Sequence, residues 1–300
     1  MKRLFTFGCS FTRYHYPTWA HFLSLDFDYF ENWGLSGIGN RAIAERVAEC
    51  HAKNKFTKDD VVIVQWSTHL RYDYAILKYL EQSWQPNGGI FNPAALQNVF
   101  NNSWHEIFFD EEAFIMHELN HIILVNQLLN SVNCTYFMTS IGDINKLGTD
   151  LIDEIEHLSI KKPDSIDKNY PNLKFYLNNI KNINWIEPLI NIVKENPELA
   201  WVWRMGPGEG TLGKDRHPSP RQHVKWLNNY LRPKLKLEPK KEDEEWLSLL
   251  DKISVFSNNR YNKTRELINK IDVIKESGFH LDYWPPEKSW NTKCYDIYFL

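Results

Sequence analysis

The chain has 300 residues, enough for one large domain or for one domain with an appendage. Its formal net charge is −3 and it has no long basic block, so we expect no nucleic-acid partner. We find no apolar signal-peptide segment and no run long enough to span a membrane. The four cysteines are widely scattered, which favours reduced thiols and a cytoplasmic location over a disulfide framework.

The first stretch, residues 3–12, predicts a strand that ends in a tight turn carrying Ser10. An amphipathic helix opens after it at Pro17 and Thr18. A small nucleophile on such a strand-to-helix turn projects from the end of the sheet, where backbone N–H groups point toward incoming negative charge. Cys9 is a weaker candidate because the neighbour of an outward-facing residue usually points elsewhere. An ordinary glycine turn after a buried strand is the alternative interpretation.

Strand and helix patterns alternate three times in the first 70 residues. Residues 28–35 predict a second strand, residues 36–40 a glycine-rich turn, and the spacing of apolar residues after it a helix. Val61–Trp66 is a continuous apolar run, typical of a parallel strand covered on both faces. This alternation predicts an α/β fold, a three-layer α/β/α sandwich with a parallel sheet.

The middle of the chain combines regular elements with two predicted insertions. Residues 71–112 lose the alternation and predict an insertion over the sheet edge, plausibly a lid. Residues 111–131 predict a long helix and residues 134–141 a fourth strand. Residues 142–212 are polar and predict a second insertion with short helical pieces at about 151–158 and 186–193.

Toward the C-terminus, Ser219, Pro220 and Gln222 match the N-cap, N1 and N3 positions of a capping box, and Pro233 is predicted to end that helix. The composition then becomes charged. We predict a main domain over residues 1–235, followed over residues 236–300 by a linker and a helical and aromatic extension. Helices are expected at 246–255 and 264–275. The extension is expected to serve oligomerisation or contact with a protein partner.

Four short features follow predicted strands or precede the last helix. In a doubly wound parallel sheet, all four would meet at the carboxyl edge, where such folds build their sites. They are Gly8-Cys9-Ser10, then Gly37 with Asn40, then Ser67, Thr68 and Arg71, and finally Asp215 with His217.

The order of these features resembles the SGNH (GDSL-like) hydrolases. Residues 7–12 (Phe-Gly-Cys-Ser-Phe-Thr) resemble the first block of that family, with Cys9 in place of the usual Asp. Residues 32–40 resemble the second block, whose glycine N–H helps to bind the oxyanion, and residues 215–223 resemble the last, which carries the acid and the base. The resemblance covers roughly residues 1–235 and implies a flavodoxin-like sheet. The short insertions and Asn/Lys-rich loops are similar to those of phage-encoded members.

The resemblance implies a serine esterase or deacetylase without a cofactor. Ser10 would attack an ester carbonyl, His217 would take its proton, and Asp215 would orient the imidazolium. The N–H groups of Ser10 and Gly37 would hold the oxyanion, assisted by Asn40 or Thr68. Ser67 could donate in place of Thr68, and Arg71 could bring charge. His223 is a second candidate base, although a packed role is the simpler interpretation.

Two departures from the family pattern leave a second class of function open. The third block normally offers an Asn to the oxyanion, and none is present in residues 65–71. Asp215 and His217 are two positions apart where three is commoner. One lost oxyanion donor raises a barrier by roughly 2.7–4 kcal/mol, which would slow a hydrolase without abolishing the chemistry. The missing Asn and the C-terminal extension make a catalytically lapsed binding or structural module the alternative function. The expected substrate is a small acyl ester. Tryptophans near loop signals could form a sugar-binding surface and so favour a carbohydrate ester; they are Trp33, Trp66, Trp84, Trp104 and Trp284.

A rival pattern lies in the predicted long helix. His117, Glu118 and His121 match H-E-x-x-H, in which two histidines one turn apart could bind zinc and the glutamate could act as base. This pattern predicts a zinc metallopeptidase instead. No clear third ligand follows at the usual spacing, and the helix is also needed as a crossover between strands.

Overall fold

The computed structural model describes residues 2–14, 16–35, 37–69, 71–73, 76–78, 81–83, 89–90, 110–145, 165–200, 202–204, 212–214 and 217–253. Its strands, in chain order, are β1 (Arg3–Phe7), β2 (Tyr29–Asn32), β3 (Val61–Trp66), β4 (Arg71–Tyr72), β5 (Ile76–Lys78), β6 (Glu81–Ser83), β7 (Gly89–Ile90), β8 (Thr135–Ser140), β9 (Val202–Arg204) and β10 (Leu212–Lys214).

The helices of the described residues range from one turn to six. They are α1 (Trp19–Ser24), α2 (Asn40–Asn54), α3 (Glu111–Val132), α4 (Ile166–Asn169), α5 (Lys174–Ile180), α6 (Leu189–Glu195), α7 (Pro220–Trp226), α8 (Arg232–Leu235) and α9 (Lys241–Ile253). Pro171–Leu173 and Pro197–Leu199 form 3₁₀ turns, and Leu227–Leu231 forms a π-helical turn. Among these helices none is long and apolar enough to cross a membrane.

A parallel sheet with strand order β2-β1-β3-β8 lies at the centre of the fold. This is the flavodoxin-like order, and the predicted α/β sandwich is confirmed. Trp185 adds a parallel bridge to Met138 of β8, and the backbone of Met138 bonds to that of Asn184 and Ile186. Part of the segment predicted as a second insertion therefore extends the sheet.

The helices cover the sheet in two layers. The chain moves one way from β1 to β2 and the other way from β2 to β3, so right-handed crossovers place α1 and α2 on opposite faces. On one face α2 packs against α3, and α3 packs against α5. On the other, α7 packs against α1, α6 and α9. Both layers cover β1 and β3, whose apolar side chains are buried.

Two tryptophans that the sequence placed near loops belong to the core. Trp33 and Trp66 are fully buried, and the Trp33 ring packs on Phe7 of β1. Neither can form part of a sugar-binding surface. The other loop tryptophans of the sequence, Trp84, Trp104 and Trp284, lie outside the described residues.

Pro233 does not end the last helix of the sandwich, contrary to the prediction. The proline ring and its missing N–H are incompatible with an ordinary α-helical bond to the carbonyl four residues earlier. The chain accommodates this with the π-helical turn Leu227–Leu231 and continues as α8. The helix ends at Lys236, whose φ of 58° is left-handed.

Helix α9 packs on the same core as the rest of the sandwich. It begins five residues before the predicted 246–255, and Trp246, Leu247 and Leu250 are buried. The Arg232 guanidinium is buried between the carboxylates of Asp243 and Asp26. The division at residue 235 stays a prediction, while this first part of the extension is built into the core. The predicted helices at 151–158 and 264–275 lie outside the described residues.

Candidate active site

Hydrogen bonds join the loops that leave the carboxyl edge of the parallel sheet. The Leu35 N–H donates to the carbonyl of Gly8 at 2.8 Å, which connects the loops after β2 and β1. The Ser67 N–H donates to Asn40 Oδ1 at 2.6 Å, which connects the loop after β3 to the start of α2. These bonds hold three predicted site loops as one unit at this edge.

Ser10 lies on a single helical turn directly after β1. The N–H groups of Thr12 and Arg13 donate to the carbonyl of Cys9, at 2.9 and 3.1 Å. The Thr12 hydroxyl in turn bonds to Gln65 Oε1 at 2.6 Å, and Thr18 Oγ1 donates to the Thr12 carbonyl at 2.5 Å. Because Thr12 is anchored from both sides, the turn that carries the serine has little freedom. Ser10 itself is 4% exposed.

The central feature of the site is the contact between Ser10 and His217. Nε2 of His217 lies 2.9 Å from Ser10 Oγ, within hydrogen-bond distance. A general base needs this reach to take a proton from the nucleophile.

His217 is positioned by the start of α7. The capping box is present: Gln222 N–H donates to Ser219 Oγ at 3.3 Å, and Ser219 N–H donates to Gln222 Oε1 at 2.8 Å. Tyr16 Oη donates to the carbonyl of Pro218 at 3.0 Å. Pro218 is therefore tied to the loop after β1 and Ser219 to the helix, which fixes the backbone directly after His217. Asp215, the predicted orienting acid, lies outside the described residues.

Two aromatic rings surround the imidazole of His217. Tyr14 stacks on it with ring centroids 4.0 Å apart and an interplanar angle of 18°. Phe11 meets it edge-on at 5.5 Å. Tyr14 in turn contacts Tyr16 at 4.8 Å. Sequence reasoning missed this role of Tyr14, because a tyrosine four residues after the serine carries no recognisable spacing signal.

The second candidate base, His223, lies one turn into α7. Its side chain is fully buried. Burial lowers the pKa of His223 well below the ordinary value, and the neighbouring His217 and His21 lower it further. Neither ring nitrogen has a hydrogen-bond partner among the described residues. His217, and not His223, contacts the serine.

The predicted oxyanion residues occupy different environments. Gly37 has a φ of 84°, a left-handed conformation that favours glycine, and it is exposed with open space where a Cβ would be. Asn40 is fully buried, and its side-chain Oδ1 accepts the Ser67 N–H, which connects two loops. Ser67 is buried and Thr68 is half-buried. Arg71 Nη1 donates to the carbonyl of Ile38 at 3.1 Å, so this side chain contacts the loop after β2.

The H-E-x-x-H residues do not form a zinc site of the usual kind. His117 is exposed and His121 half-buried, whereas Glu118 is buried beside Asn40 and Asp73. The glutamate therefore faces the interior and cannot serve a metal held by the two histidines. Burial, with Arg41 and His117 nearby, lowers the pKa of His121 to about 4. Across the described ranges no three His, Cys, Asp or Glu side chains cluster as metal ligands.

Asp73 is a further residue of this edge that the sequence did not reveal. It lies in the segment predicted as a lid, yet it is 2% exposed and bonds to the start of α2. The signal that could have pointed to it is Gly39. A helix whose N-cap is glycine has no side-chain cap of its own, so an acceptor must come from elsewhere in the chain.

No protein-family model matches the chain, and no curated protein matches its sequence. Among solved structures, the chain is similar to the crystal structure of a member of the lipolytic protein G-D-S-L family from Veillonella parvula DSM 2008. The TM-score is 0.40 and the sequence identity 13%, over 75% of this chain and 94% of that chain. A likeness of this degree carries no functional argument, and we infer function from the atoms at the sheet edge.

Proposed function

We propose that the protein is a serine hydrolase that cleaves esters by acyl transfer. The observation that carries the proposal is the 2.9 Å contact between Ser10 Oγ and His217 Nε2 at the carboxyl edge of the sheet. A hydroxyl is a weak nucleophile until a base takes its proton, and a histidine at this distance is the commonest such base.

The reaction has two halves. In the first, His217 Nε2 accepts the Ser10 proton while Oγ attacks the ester carbonyl, and the imidazolium then protonates the departing alcohol. In the second, His217 takes a proton from water, the hydroxide attacks the acyl-serine, and the proton returns to Ser10 Oγ as the acid leaves. Stabilisation of the imidazolium is required in both halves. The Tyr14 ring face, 4.0 Å away, supplies part of it, and Asp215 is proposed to supply the rest.

The developing oxyanion is proposed to bind backbone N–H groups of Ser10 and Gly37. The left-handed backbone and open surroundings of Gly37 support this role, because a side chain there would crowd an approaching substrate. Thr68, which is half-buried, is a further proposed donor. Asn40 instead holds two loops together, since its side chain is fully buried and its Oδ1 accepts the Ser67 N–H.

A small acyl ester is the proposed substrate, and a carbohydrate O-acyl ester is the particular case to test. Trp33 and Trp66 cannot contribute to a sugar-binding surface, because both are buried in the core. The test therefore begins with an activated acetyl ester and continues with acetylated sugars.

The proposal is tested with a fluorophosphonate, which labels an activated serine covalently. We expect one label on the wild type, located at Ser10 by peptide mapping, and none on Ser10→Ala. His217→Ala should slow labelling and acetyl-ester hydrolysis by about 10²–10⁴-fold, the usual contribution of a general base. His223→Leu is the matched control. It removes the buried histidine of α7, which does not contact the serine, and it should label at nearly the wild-type rate.

Failure of a folded wild type to react would overturn the proposal and favour the binding module. Equal loss in the two histidine variants would show that His217 has no special part in the chemistry. Stoichiometric zinc that is lost with His117→Ala would favour the peptidase.

A further inference from the structure

The short segment 71–73 holds the start of α2 from outside. Asp73 Oδ1 accepts the Gly39 N–H at 2.8 Å and Asp73 Oδ2 accepts the Ala42 N–H at 2.9 Å. Arg71 Nη1 donates to the carbonyl of Ile38 at 3.1 Å. Three bonds thus connect this segment to residues 38–42, immediately after Gly37.

The helix depends on this contact because it has no cap of its own. The first N–H groups of a helix lack partners inside it, and Gly39 at the N-cap offers no side chain. The approach is close. A Cβ on residue 39 would lie 2.8 Å from Asp73 Oδ2 and 2.9 Å from the Arg71 carbonyl, so only glycine fits. Asp73 can therefore approach and accept the Gly39 N–H because residue 39 has no side chain.

We infer that Asp73 is a positioning residue for the proposed reaction, whose carboxylate sets the Gly37 N–H in place by clamping residues 38–42. The inference rests on the proposed function. Asn40, inside the clamped segment, also accepts the Ser67 N–H, so the clamp orders the loop after β3 as well. Catalytic hydrogen bonds must be placed to a fraction of an ångström, and misplacement by about 1 Å can cost about 10²-fold.

The charges around Asp73 make the clamp sensitive to pH. Glu45 of α2 adds negative charge near Asp73, while Arg71 of β4 opposes it, and Glu118 of α3 is buried beside Asp73. Burial raises the pKa of Asp73 to about 6, although the bonds from Ala42 and Gly39 oppose the rise. Burial, reinforced by the charge of Asp73, raises the pKa of Glu118 well above its ordinary value. With a pKa of about 6, Asp73 is charged at neutral pH, and acid weakens the two N–H bonds.

The test compares Asp73→Asn with Asp60→Asn. Asp60 is a second buried aspartate that accepts a backbone N–H, from Thr57, but it precedes β3 and lies at the opposite edge of the sheet. The introduced amide at position 73 can accept one N–H and presents its own N–H₂ to the other. We expect kcat for an acetyl ester to fall about tenfold or more in Asp73→Asn, with KM within about threefold. We expect neither change in Asp60→Asn.

Hydrogen exchange gives a readout that does not depend on activity. In the wild type, local opening of residues 37–43 breaks the two N–H bonds, which lower the pKa of Asp73, while its carboxyl group stays buried. Protonation therefore favours this local opening, and exchange over residues 37–43, corrected for the intrinsic rate, should become faster as the pH falls through about 6. In Asp73→Asn it should be fast at every pH. Should that variant fail to fold, Arg71→Met removes the bond to Ile38 and a cation near Asp73 while keeping both Asp73 bonds, and it should change both kcat and exchange in the same direction by a smaller factor.

The outcomes separate the two proposals. A wild type that labels at Ser10, with an Asp73→Asn variant that labels and exchanges at the same rate, overturns the clamp and leaves the hydrolase standing. A wild type that does not label overturns the hydrolase, and the catalytic role of Asp73 with it. Equal losses of kcat in the Asp73 and Asp60 variants would show that the loss of activity follows from lost stability, and this would also overturn the inference.

Discussion

Two buried aspartates lie at opposite edges of the parallel sheet, and their carboxyl groups have pKa values shifted in opposite directions. Asp60, at the amino edge, accepts the Thr57 N–H at 2.7 Å and pairs with Arg3 at 2.5 Å. Burial raises its pKa, but the bonds from Arg3 and Thr57 outweigh burial and the net pKa is lowered. Asp73, at the carboxyl edge, accepts two N–H bonds beside a second carboxyl group, and burial raises its pKa to about 6.

The difference shows how the two edges divide their roles. At the amino edge the negative charge is matched by a cation, so the contact contributes stability. At the carboxyl edge, burial disfavours the charged form of Asp73, and this residue lies in the region where the chemistry is proposed. Costly electrostatics of this kind concentrate at functional sites, where they place or tune reacting groups. We therefore expect substitutions at the amino edge to lower stability and substitutions at the carboxyl edge to lower activity.

The largest effect on stability is expected from Arg3→Met. It leaves the 2%-exposed Asp60 side chain without its cation. Breaking such a pair costs about 3–5 kcal/mol, and we expect the lower end because Arg3 itself is 21% exposed. Urea unfolding measures the loss. Lys241→Met is the control, since its pair with Glu245 lies on the surface of α9 and its loss should change stability by less than about 0.5 kcal/mol.

The same variant sharpens the comparison through its labelling rate. Per folded molecule, Arg3→Met should react with the fluorophosphonate as fast as the wild type. A slower reaction would mean that the amino edge also controls the site, and the division of roles would be wrong.

An intermediate effect is expected in the pH dependence of stability. Asp60 has a folded pKa below its unfolded value of 3.8, so its contribution is present above that pH and is lost as the pH falls through the folded pKa. Asp73 has a folded pKa of about 6, above the same unfolded value. The folded protein keeps that proton between these two pH values, and the associated stability is lost as the pH rises through about 6.

Urea midpoints measured from strongly acidic to neutral pH separate the two groups. Asp73→Asn should remove a decline in stability between pH 3.8 and about 6, and Asp60→Asn should remove a loss of stability below pH 3.8. Identical profiles in the two variants would contradict the assignment of opposite shifts.

The smallest effect is expected from the ring that stacks on His217. Tyr14→Leu removes an aromatic face that stabilises the imidazolium, a contact worth about 0.5–2 kcal/mol. We expect kcat/KM to fall about 2–30-fold. Tyr14→Phe keeps the face and should stay close to the wild type. If the phenylalanine variant loses as much as the leucine variant, the hydroxyl matters and the stacking does not.

Local patterns were enough to predict the parallel sheet and the start of α7. Val61–Trp66 is apolar except for Gln65, which is typical of a doubly covered strand, and Ser219-Pro220 begins a cap that is complete within four residues. Ser10 and His217 were predicted from a family resemblance and from their positions after β1 and before α7. Both kinds of prediction use contacts between sequence neighbours or a known order of elements.

The remaining features depend on contacts that no local pattern encodes. Asp73 caps a helix that begins 33 positions earlier in the chain, and the stacking of Tyr14 on His217 joins the first loop to the last. Pro233 was predicted to end a helix because proline cannot donate the required bond. The π-helical turn before it relieves that conflict, and burial of Arg232 against Asp243 holds the chain in place.

The contact between Ser10 and His217 spans 207 positions of the chain, and this has a consequence for synthesis in the cell. The serine and its turn leave the ribosome 207 positions before the histidine, together with the strand that will carry them. The histidine follows only after all four strands of the parallel sheet have been made, and α9 comes later still. A growing chain therefore holds a serine without its proposed base. The proposed hydrolase therefore cannot act until His217 and α7 have left the ribosome.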